Sequence, residues 1–510
     1  MKKIQFRSWI GVGFIYLFSL NIALLVAAVL TGHSWIAISA IVLALFQFWL
    51  HDYFKNKQAI LRNYSLVSVL KLIETFCSQM LAKYGSIGRA FNREQRMLIQ
   101  CRARNIPTTL VMGTLTDPQL PGYECVRYAN KPVKISQAAL KISVGNFQCT
   151  APYSLSVLNV GALSYGSLSK TAVLALSEGA KIGGFAVNTG EGGISPYHIR
   201  GGGDLIWQIG TGYFGCRYQD GSFNEDLFQK NATRPYVKMI ELKLSQGGRL
   251  DYERVLPAPE NTPEIAAIRN LKPAVTVCSP QKHTAFTNET EMMLFLAHLR
   301  RLSGGKPVGI KLCIAGKAEF ERLCAVMQQT EIFVDFISID GVDEGTEIGR
   351  TEVPLLEALV IARKTLTRFG IPAKIIACGK IVSEYDILRA IALGADACYT
   401  ARGMMLALGS VYSLRYNNGK CPAVISALNN WLYRHSDVVD KRVRIANFHR
   451  NTLTATVKLM ETCWCKNLSE IKPDNFLRRV SMPDVRTLKE IYFNDDSEIK
   501  ANNRVFTYIN

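Results

Sequence analysis

The sequence predicts an α/β fold: a TIM (β/α)8 barrel preceded by an N-terminal two-helix transmembrane hairpin. Short apolar segments alternate with longer amphipathic segments from about residue 155 onward, as expected for buried parallel strands and the helices that cover them. A separate run from Ser8 to His51 contains no Asp, Glu, Lys or Arg, although charged residues make up 20% of the chain. Because that overall composition is ordinary, the charge-free run is a local signal.

Eight of the apolar segments have the length of barrel strands. They are Ser156–Leu163, Gly184–Asn188, Val237–Lys243, Val275–Ser279, Val308–Cys313, Val334–Asp340, Ala373–Cys378 and Asp396–Thr400. Helical patterns lie between most of them, at Ser169–Ile182, Glu289–Leu302, Lys317–Gln329, Val353–Thr367, Glu384–Leu393 and Met404–Leu414. A closed barrel fits this number and order of elements. A doubly wound sheet is the alternative, because periodicity alone does not show whether a sheet closes.

The charge-free run is long enough for two membrane spans, since one transmembrane helix needs about 20 mainly apolar residues. It breaks at Thr31–Ser34 into Trp9–Leu30 and Trp35–Leu50, with lysine and arginine on both outer flanks. The positive-inside rule then places both flanks in the cytoplasm. A buried helical hairpin of a globular core is the alternative. The resulting division is a hairpin over residues 1–53, a connecting region that packs on the barrel over 54–149, the barrel over 150–435, and a C-terminal helix and tail over 436–510.

The net charge of +19, from 60 basic and 41 acidic residues, does not indicate nucleic-acid binding. The basic residues are scattered and no DNA- or RNA-binding motif occurs. A basic cytoplasmic body beside an anionic lipid leaflet is the simpler interpretation. The 13 cysteines lack the spacing of a disulfide framework, which excludes the small disulfide-rich class.

The densest glycine region, Asn188–His198, follows a predicted strand and would lie at the catalytic face of a barrel. Its glycines let the backbone approach a ligand closely, and Glu191 supplies a carboxylate that is costly to bury without a partner. A flexible surface loop is the alternative. Further on, Gly210–Gly215 matches the dinucleotide-binding fingerprint by letter. Only a short apolar stretch precedes that motif and a turn follows it, so we reject nicotinamide binding there.

Basic residues at the ends of later strands suggest an anion site. Lys243 and Lys311 lie within apolar segments and would point toward the barrel mouth, where a lysine can stabilise the anionic reduced ring of a flavin. Snorkelling surface lysines are the alternative. Barrels often bind phosphate between the loops after the last two strands. In this sequence those loops carry Gly379, Lys380, Arg402 and Gly403.

Several longer motifs resemble the FMN-binding domain of glutamate synthase. They are Leu163–Ser169, Asn188–His198, Gly201–Arg217, Lys243–Gly247, Gly394–Asp396 and Ala401–Met405. The chain is most similar to a membrane-tethered, single-chain FMN-binding glutamate synthase family of bacteria. The resemblance implies a bacterial inner-membrane protein with a cytoplasmic catalytic domain, in which FMN reduces an imine of 2-oxoglutarate, or of a related oxo acid, to an amino acid. By the same resemblance, Ser164, Lys243, Ser245 and the Gly379 and Arg402 loops hold FMN, while Glu191, Lys243 and Gln246 face the oxo acid.

The sequence also departs from that family. At the three positions where the family has cysteines for a 3Fe–4S cluster, this chain has Ser410, Tyr416 and Cys421, so we expect FMN without the cluster. The loops at 248–254 and 342–349 are altered, which puts flavin occupancy and substrate in question. A separate electron donor is expected, with ammonia or an amine from solution or from a glutaminase or reductase partner. The alternatives are an amine-condensing enzyme resembling N-methylglutamate synthase, and a degenerate, non-catalytic barrel that serves as a membrane scaffold.

Overall fold

The computed structural model describes residues 19–24, 26–27, 30–55, 91–107, 117–128, 134–135, 140–244, 254–341, 353–409 and 438–493. The chain forms two compact units, Met1–Arg89 and Ala90–Asn510, and each is described by itself.

In the first unit, a helix spans Ser34–Lys55. Among the described residues, none of the helices combines the length and the hydropathy that crossing a bilayer requires. The predicted transmembrane hairpin, and the inner-membrane localisation that depended on it, are therefore wrong. The prediction relied on missing charges, which are a weaker criterion than sustained hydropathy, because a charge-free run can still contain uncharged polar residues. Asn21 and Gln47 are two such residues, and both are buried. Residues 9–18 of the first predicted span lie outside the described residues.

The second unit contains the strands, which we number in chain order. They are β1 (Glu124–Val126), β2 (Lys141–Val144), β3 (Tyr153–Ser156), β4 (Leu158–Val160), β5 (Ala186–Asn188), β6 (Asp204–Ile209), β7 (Val237–Lys243), β8 (Arg254–Leu256), β9 (Val277–Ser279), β10 (Val308–Cys313), β11 (Phe336–Asp340), β12 (Lys374–Cys378), β13 (Ala397–Thr400), β14 (Phe476–Arg479) and β15 (Val485–Thr487). The helices described in this unit are Arg93–Ala103, Lys170–Gly183, Pro196–Gly201, Glu225–Ala232, Pro263–Arg269, Glu289–Leu302, Lys317–Thr330, Leu355–Arg368, Glu384–Ala392, Arg402–Ala407, Val438–Thr462 and Leu488–Tyr492.

Eight strands close into a barrel in the order β4-β5-β6-β7-β10-β11-β12-β13. Every neighbouring pair is parallel, and β13 pairs with β4 through Cys398–Leu158, Tyr399–Asn159 and Thr400–Val160. This closure confirms the predicted TIM barrel and excludes the doubly wound sheet.

The predicted strands differ from the barrel strands at two places. The predicted strand Val275–Ser279 corresponds to β9, which pairs with β8 in an antiparallel hairpin outside the barrel. Strand β6 was not predicted, because its six residues lie between the glycines that end at Gly203 and those that begin at Gly210. From the sequence, these residues were interpreted only as a short apolar stretch before Gly210, too short to be counted as a strand. The turn predicted after Gly215 is confirmed, since Arg217 and Phe223 form a β-bridge before the next helix begins.

Local sequence explains how the helices are fixed between strands. In the helix Lys170–Gly183, the Ser169 side chain accepts a hydrogen bond from the Ala172 amide at the N-terminus. Gly184 then ends the helix with φ 66°, a left-handed conformation that glycine adopts without strain. Ala172, Leu176 and the other small or apolar residues of one face are buried.

The amino-terminal end of the barrel is closed by the β2–β3 hairpin. Val144 and Leu155 of this hairpin belong to the same buried cluster as Met239 and Phe336 of the barrel strands. The carboxyl ends of the strands therefore form the mouth where a ligand can approach.

The helix Val438–Thr462 packs against the helices Lys170–Gly183 and Arg93–Ala103. The sequence predicted only a tail after this helix, yet β14 and β15 form a three-stranded sheet with β1. Phe476 in β14 and Leu488 directly after β15 are both fully buried in the main hydrophobic cluster, and their burial anchors this sheet on the barrel body.

Candidate active site

The barrel register places the predicted lysines side by side at the mouth. Lys243 ends β7, and it lies directly opposite Lys311 of β10 in the parallel ladder. Side chains at paired positions of neighbouring strands point to the same face of a sheet. Both lysines therefore project into the upper part of the barrel, as predicted from their place in apolar segments.

Glu191 forms an ion pair with Lys243. Its Oε1 atom lies 3.0 Å from Lys243 Nζ, and the two side chains are 7% and 17% exposed. Glu191 sits in the 3₁₀ turn Gly190–Gly192 that follows β5. Gly190 has φ +60°, and a Cβ atom there would come within 2.8 Å of the Ser164 backbone nitrogen. Only glycine allows the turn to pack this tightly on the loop that carries Ser164.

Lys311 is paired with Asp340 at the end of β11, with Nζ and Oδ2 3.0 Å apart. Burial alone lowers the pKa of the Lys311 ammonium, but the nearby Asp340 and Glu241 carboxylates outweigh it and raise the pKa above its ordinary value. Lys311 therefore stays charged within the barrel.

Glu241 lies two residues before Lys243 on β7 and is fully buried. Its Oε1 atom accepts hydrogen bonds from the Asn188 side-chain amide at 2.7 Å and the Gln208 side-chain amide at 2.6 Å. The Ser338 hydroxyl donates to its other oxygen at 2.5 Å. Three donors thus compensate the cost of burying this carboxylate.

His283 holds the end of β7 from outside the barrel wall. Its Nε2–H donates to the Lys243 carbonyl oxygen at 2.8 Å, and the Tyr213 hydroxyl donates to Nδ1 at 3.0 Å. The Tyr213 oxygen in turn accepts the Ala285 amide at 3.1 Å. Burial lowers the pKa of His283 to about 4, so the ring is neutral at pH 7 and can make both bonds at once.

The loops after β12 and β13 carry the four residues predicted for phosphate. Gly379 and Lys380 follow β12 directly, and Arg402 and Gly403 begin the helix Arg402–Ala407 after β13. A Cβ atom at Gly379 would meet the Leu355 side chain at 2.7 Å. The far end of the helix is held by neighbouring elements that satisfy its last carbonyls: the side chain of Gln100 donates to Leu406, and that of Arg444 donates to Ala407.

The structure brings most of the predicted site residues to one end of the barrel. Those it places there are Ser164, Glu191, Lys243, Lys311, Gly379, Lys380, Arg402 and Gly403. Ser245 and Gln246 lie outside the described residues, as do Ser410, Tyr416, Cys421 and the loops at 248–253 and 342–349. Their assigned roles stay predictions.

The sequence comparisons identify the family. The conserved region of glutamate synthase matches residues 129–464, which is more than half of the chain. The chain belongs to the glutamate synthase family.

Two relatives show how far this likeness extends. A glutamate synthase large subunit-like protein of Bacillus subtilis (strain 168), YerD, is 38% identical over 315 residues, covering 60% of this chain and 60% of the relative. An archaeal-type glutamate synthase (NADPH) of Thermotoga neapolitana is 31% identical over 270 residues, covering 51% and 50%. This glutamate synthase family chain therefore spans between half and three fifths of those relatives. Among solved structures, a mandelate oxidase variant with benzaldehyde is 14% identical, with a TM-score of 0.45; the match covers 77% of this chain and 98% of the mandelate oxidase chain. We infer no function from this likeness.

Five residues at the site of this glutamate synthase family chain were not predicted from the sequence: Glu241, Gln208, Asp340, His283 and Arg269. Arg269 is buried beside the Glu191 turn; it donates to the Tyr165 carbonyl oxygen at 3.2 Å, and its guanidinium lies 5.0 Å from the centre of the Phe214 ring. Glu241 had a detectable signal, because it is a carboxylate in an apolar strand with the same inward parity as Lys243. His283 and Arg269 had no detectable signal. They lie in the segment between β7 and β10, which reaches the site only in the folded chain.

Proposed function

We propose that the chain is an FMN-dependent oxidoreductase of the glutamate synthase type, which reduces an imine of 2-oxoglutarate or a related 2-oxo acid to an amino acid. The observation that carries the proposal is the convergence of the Lys243–Glu191 pair, Lys311 and two glycine loops with basic residues at one barrel mouth. Membership of the glutamate synthase family supports the same reaction class.

Two features of the mouth fit FMN. Gly379 and Gly403 follow β12 and β13, and neighbouring side chains leave no room for a Cβ atom at either position. Glycine loops of this kind, together with the basic residues Lys380 and Arg402, suit a phosphate. In addition, the Thr211 hydroxyl is buried and, among the described residues, makes no hydrogen bond. A buried hydroxyl in that state is costly and fits a polar ligand group nearby.

FMN, when bound, supplies the two-electron hydride chemistry. The residues of the chain bind and orient. Lys243 and Lys311 supply ammonium donors for an anionic substrate, each held in place by its carboxylate partner, and the β2–β3 hairpin closes the opposite end of the barrel against water. The Glu191–Lys243 pair can hold and move a proton between Oε1 and Nζ while ammonia and the oxo acid condense. His283 fixes the backbone of Lys243, so that this proton-handling group keeps one position.

Absorption spectroscopy of the purified full chain tests cofactor binding. We expect flavin bands, or their appearance after reconstitution with FMN. A colourless protein that takes up no FMN would contradict the proposal and favour a non-catalytic barrel.

Turnover is then measured with 2-oxoglutarate, ammonium and reduced methyl viologen as electron donor, so that two electrons and two protons are supplied for each amino acid and water formed. Lys243→Met should abolish turnover while leaving the fold intact. Lys238→Met, at the opposite end of the same strand and 3.7 Å from Asp204, is the matched control and should retain it. Equal activity in the two variants would refute the role of Lys243.

A further inference from the structure

The interior of the barrel contains a buried carboxylate that the proposed chemistry does not use. Glu241 is fully buried, and taking a carboxylate out of water is expensive even when it is well bonded. Replacing such a group with an apolar side chain is often neutral or favourable for stability, so folding alone does not explain its presence. The partners of Glu241 show what it does.

Asn188 connects Glu241 to the turn that carries Glu191. The Asn188 amide nitrogen donates to Glu241 at 2.7 Å, and the Asn188 carbonyl oxygen accepts the Gly190 backbone N–H at 3.0 Å. The Asn188 side chain therefore has one fixed orientation, because each end has a partner of only one kind. Gly190 is the first residue of the 3₁₀ turn.

Gln208 connects Glu241 to the same turn by a second route. Its side-chain nitrogen donates to Glu241 at 2.6 Å, and its backbone nitrogen donates to the Thr189 hydroxyl at 3.1 Å. Thr189 directly precedes Gly190, and its own amide bonds to the Ile206 carbonyl at 3.0 Å. Both residues before Glu191 are thus tied to strands that meet at Glu241.

These contacts form a closed ring. It runs from Glu241 through Asn188 and the turn to Glu191, across the 3.0 Å ion pair to Lys243, and back along β7 to Glu241. We propose that Glu241 is a positioning residue that holds the Gly190–Gly192 turn, and with it the Glu191 carboxylate, against Lys243. The catalytic role of Glu241 rests on the proposed function, whereas its effect on the position of the turn does not depend on that function.

The test is hydrogen–deuterium exchange of the peptide covering residues 186–195 in the full chain as purified. Glu241→Gln keeps the shape and an acceptor oxygen for Asn188 and Gln208, so the substitution removes mainly the charge that strengthens these bonds. The difference between a charged and a neutral acceptor is about 1.4 kcal/mol, which corresponds to about tenfold. We expect exchange in this peptide to be about tenfold faster in Glu241→Gln.

Two variants separate positioning from general loss of stability. Among the donors to Glu241 in the described part of the chain, Ser338 is the one that does not contact the turn, so Ser338→Ala should leave exchange in the peptide unchanged. Asp335→Asn neutralises a second buried carboxylate, paired at 2.9 Å with Arg300 near the start of β11. It should lower the melting temperature without faster exchange in the peptide. If Glu241→Gln changes nothing in the peptide, or if either control matches it, the proposal is overturned.

A further variant covers the case in which Glu241→Gln does not fold. Asn188→Asp keeps an acceptor for the Gly190 amide but replaces the donor to Glu241, so it should speed exchange in the same peptide. Unchanged exchange there would also overturn the proposal. In the turnover assay with FMN, 2-oxoglutarate, ammonium and reduced methyl viologen, Glu241→Gln should lower kcat about tenfold while Ser338→Ala does not. Absence of FMN from the wild type contradicts the proposed function but leaves the exchange result to decide the role of Glu241.

Discussion

The coupling between Lys243 and Glu191 can be measured directly with a double-mutant cycle of Lys243→Met and Glu191→Gln. The charged atoms are 3.0 Å apart, so Coulomb's law gives about 5.5 kcal/mol at an effective dielectric constant of about 20 and about 1.4 kcal/mol in bulk water. Because the side chains are only 17% and 7% exposed, the interaction should lie between these limits. We expect a coupling free energy of about 2–4 kcal/mol.

The assay is urea unfolding of the wild type, both single variants and the double variant at pH 7. Lys243→Met alone should reduce the free energy of unfolding by about 2–4 kcal/mol, because Glu191 then loses the ammonium that compensates its burial. The double variant should be more stable than the sum of the single effects predicts, since neither charge is then left without the other.

Lys238 and Asp204 provide the matched control at the other end of β7. Their charged atoms are 3.7 Å apart and their side chains are 35% and 42% exposed, so solvent screens the pair. The same cycle there should give about 0–1 kcal/mol. A coupling below about 1 kcal/mol for Lys243 and Glu191 would show that this pair is no stronger than a surface ion pair and would refute its organisation for chemistry.

Three further outcomes are expected. Burial lowers the pKa of His198 to about 4, of His283 to about 4 and of His449 to about 3. Below pH 6.5 the unfolded chain binds more protons at these residues, so the free energy of unfolding should fall from pH 6.5 toward pH 4, by about 2 kcal/mol per histidine at pH 5, and the melting temperature should fall with it. A constant melting temperature over this range would contradict their buried neutral state. Tyr213→Phe removes the donor to His283 and should cost about 1–2 kcal/mol in urea unfolding, with an effect below about 0.5 kcal/mol showing that the bond is weak. Gly190→Ala should cost about 2 kcal/mol or more, because the left-handed backbone and the nearby Ser164 nitrogen both oppose a Cβ atom, and an unchanged melting temperature would refute this.

The alternation of apolar segments was sufficient to predict most of the barrel. Strands β7 and β10 were predicted with their observed ends, because long apolar runs bounded by polar loops have few other interpretations. Lys243 and Lys311 were placed at the mouth by the same logic. Strand β9 was wrongly predicted as a barrel strand, because a short segment of strand-forming residues has the same composition whether it pairs inside the barrel or in an outer hairpin.

The transmembrane prediction failed for a different reason. It rested on the absence of charge between Ser8 and His51, on the length of that run and on its basic flanks, whereas none of the described helices combines the length and the hydropathy that crossing a bilayer requires. By contrast, positions such as His283 were not predictable at all. This residue reaches the Lys243 carbonyl from 40 positions along the chain, and no local pattern encodes that contact.

Glu241 lies between these cases, because the sequence contained the signal and the structure was needed to interpret it. In a strand, alternate residues face the same side, so Met239, Glu241 and Lys243 share the inward face of β7. The same alternation puts Gln208 inward on β6 and Ser338 inward on β11. Each of these polar residues gives little information alone, but the register of the β6–β7 ladder places Gln208 directly beside Glu241. An inward-facing polar residue two positions before a charged residue at the end of a strand therefore indicates a ring of polar side chains just beneath the barrel mouth. The barrel register shows which residues of the neighbouring strands belong to that ring.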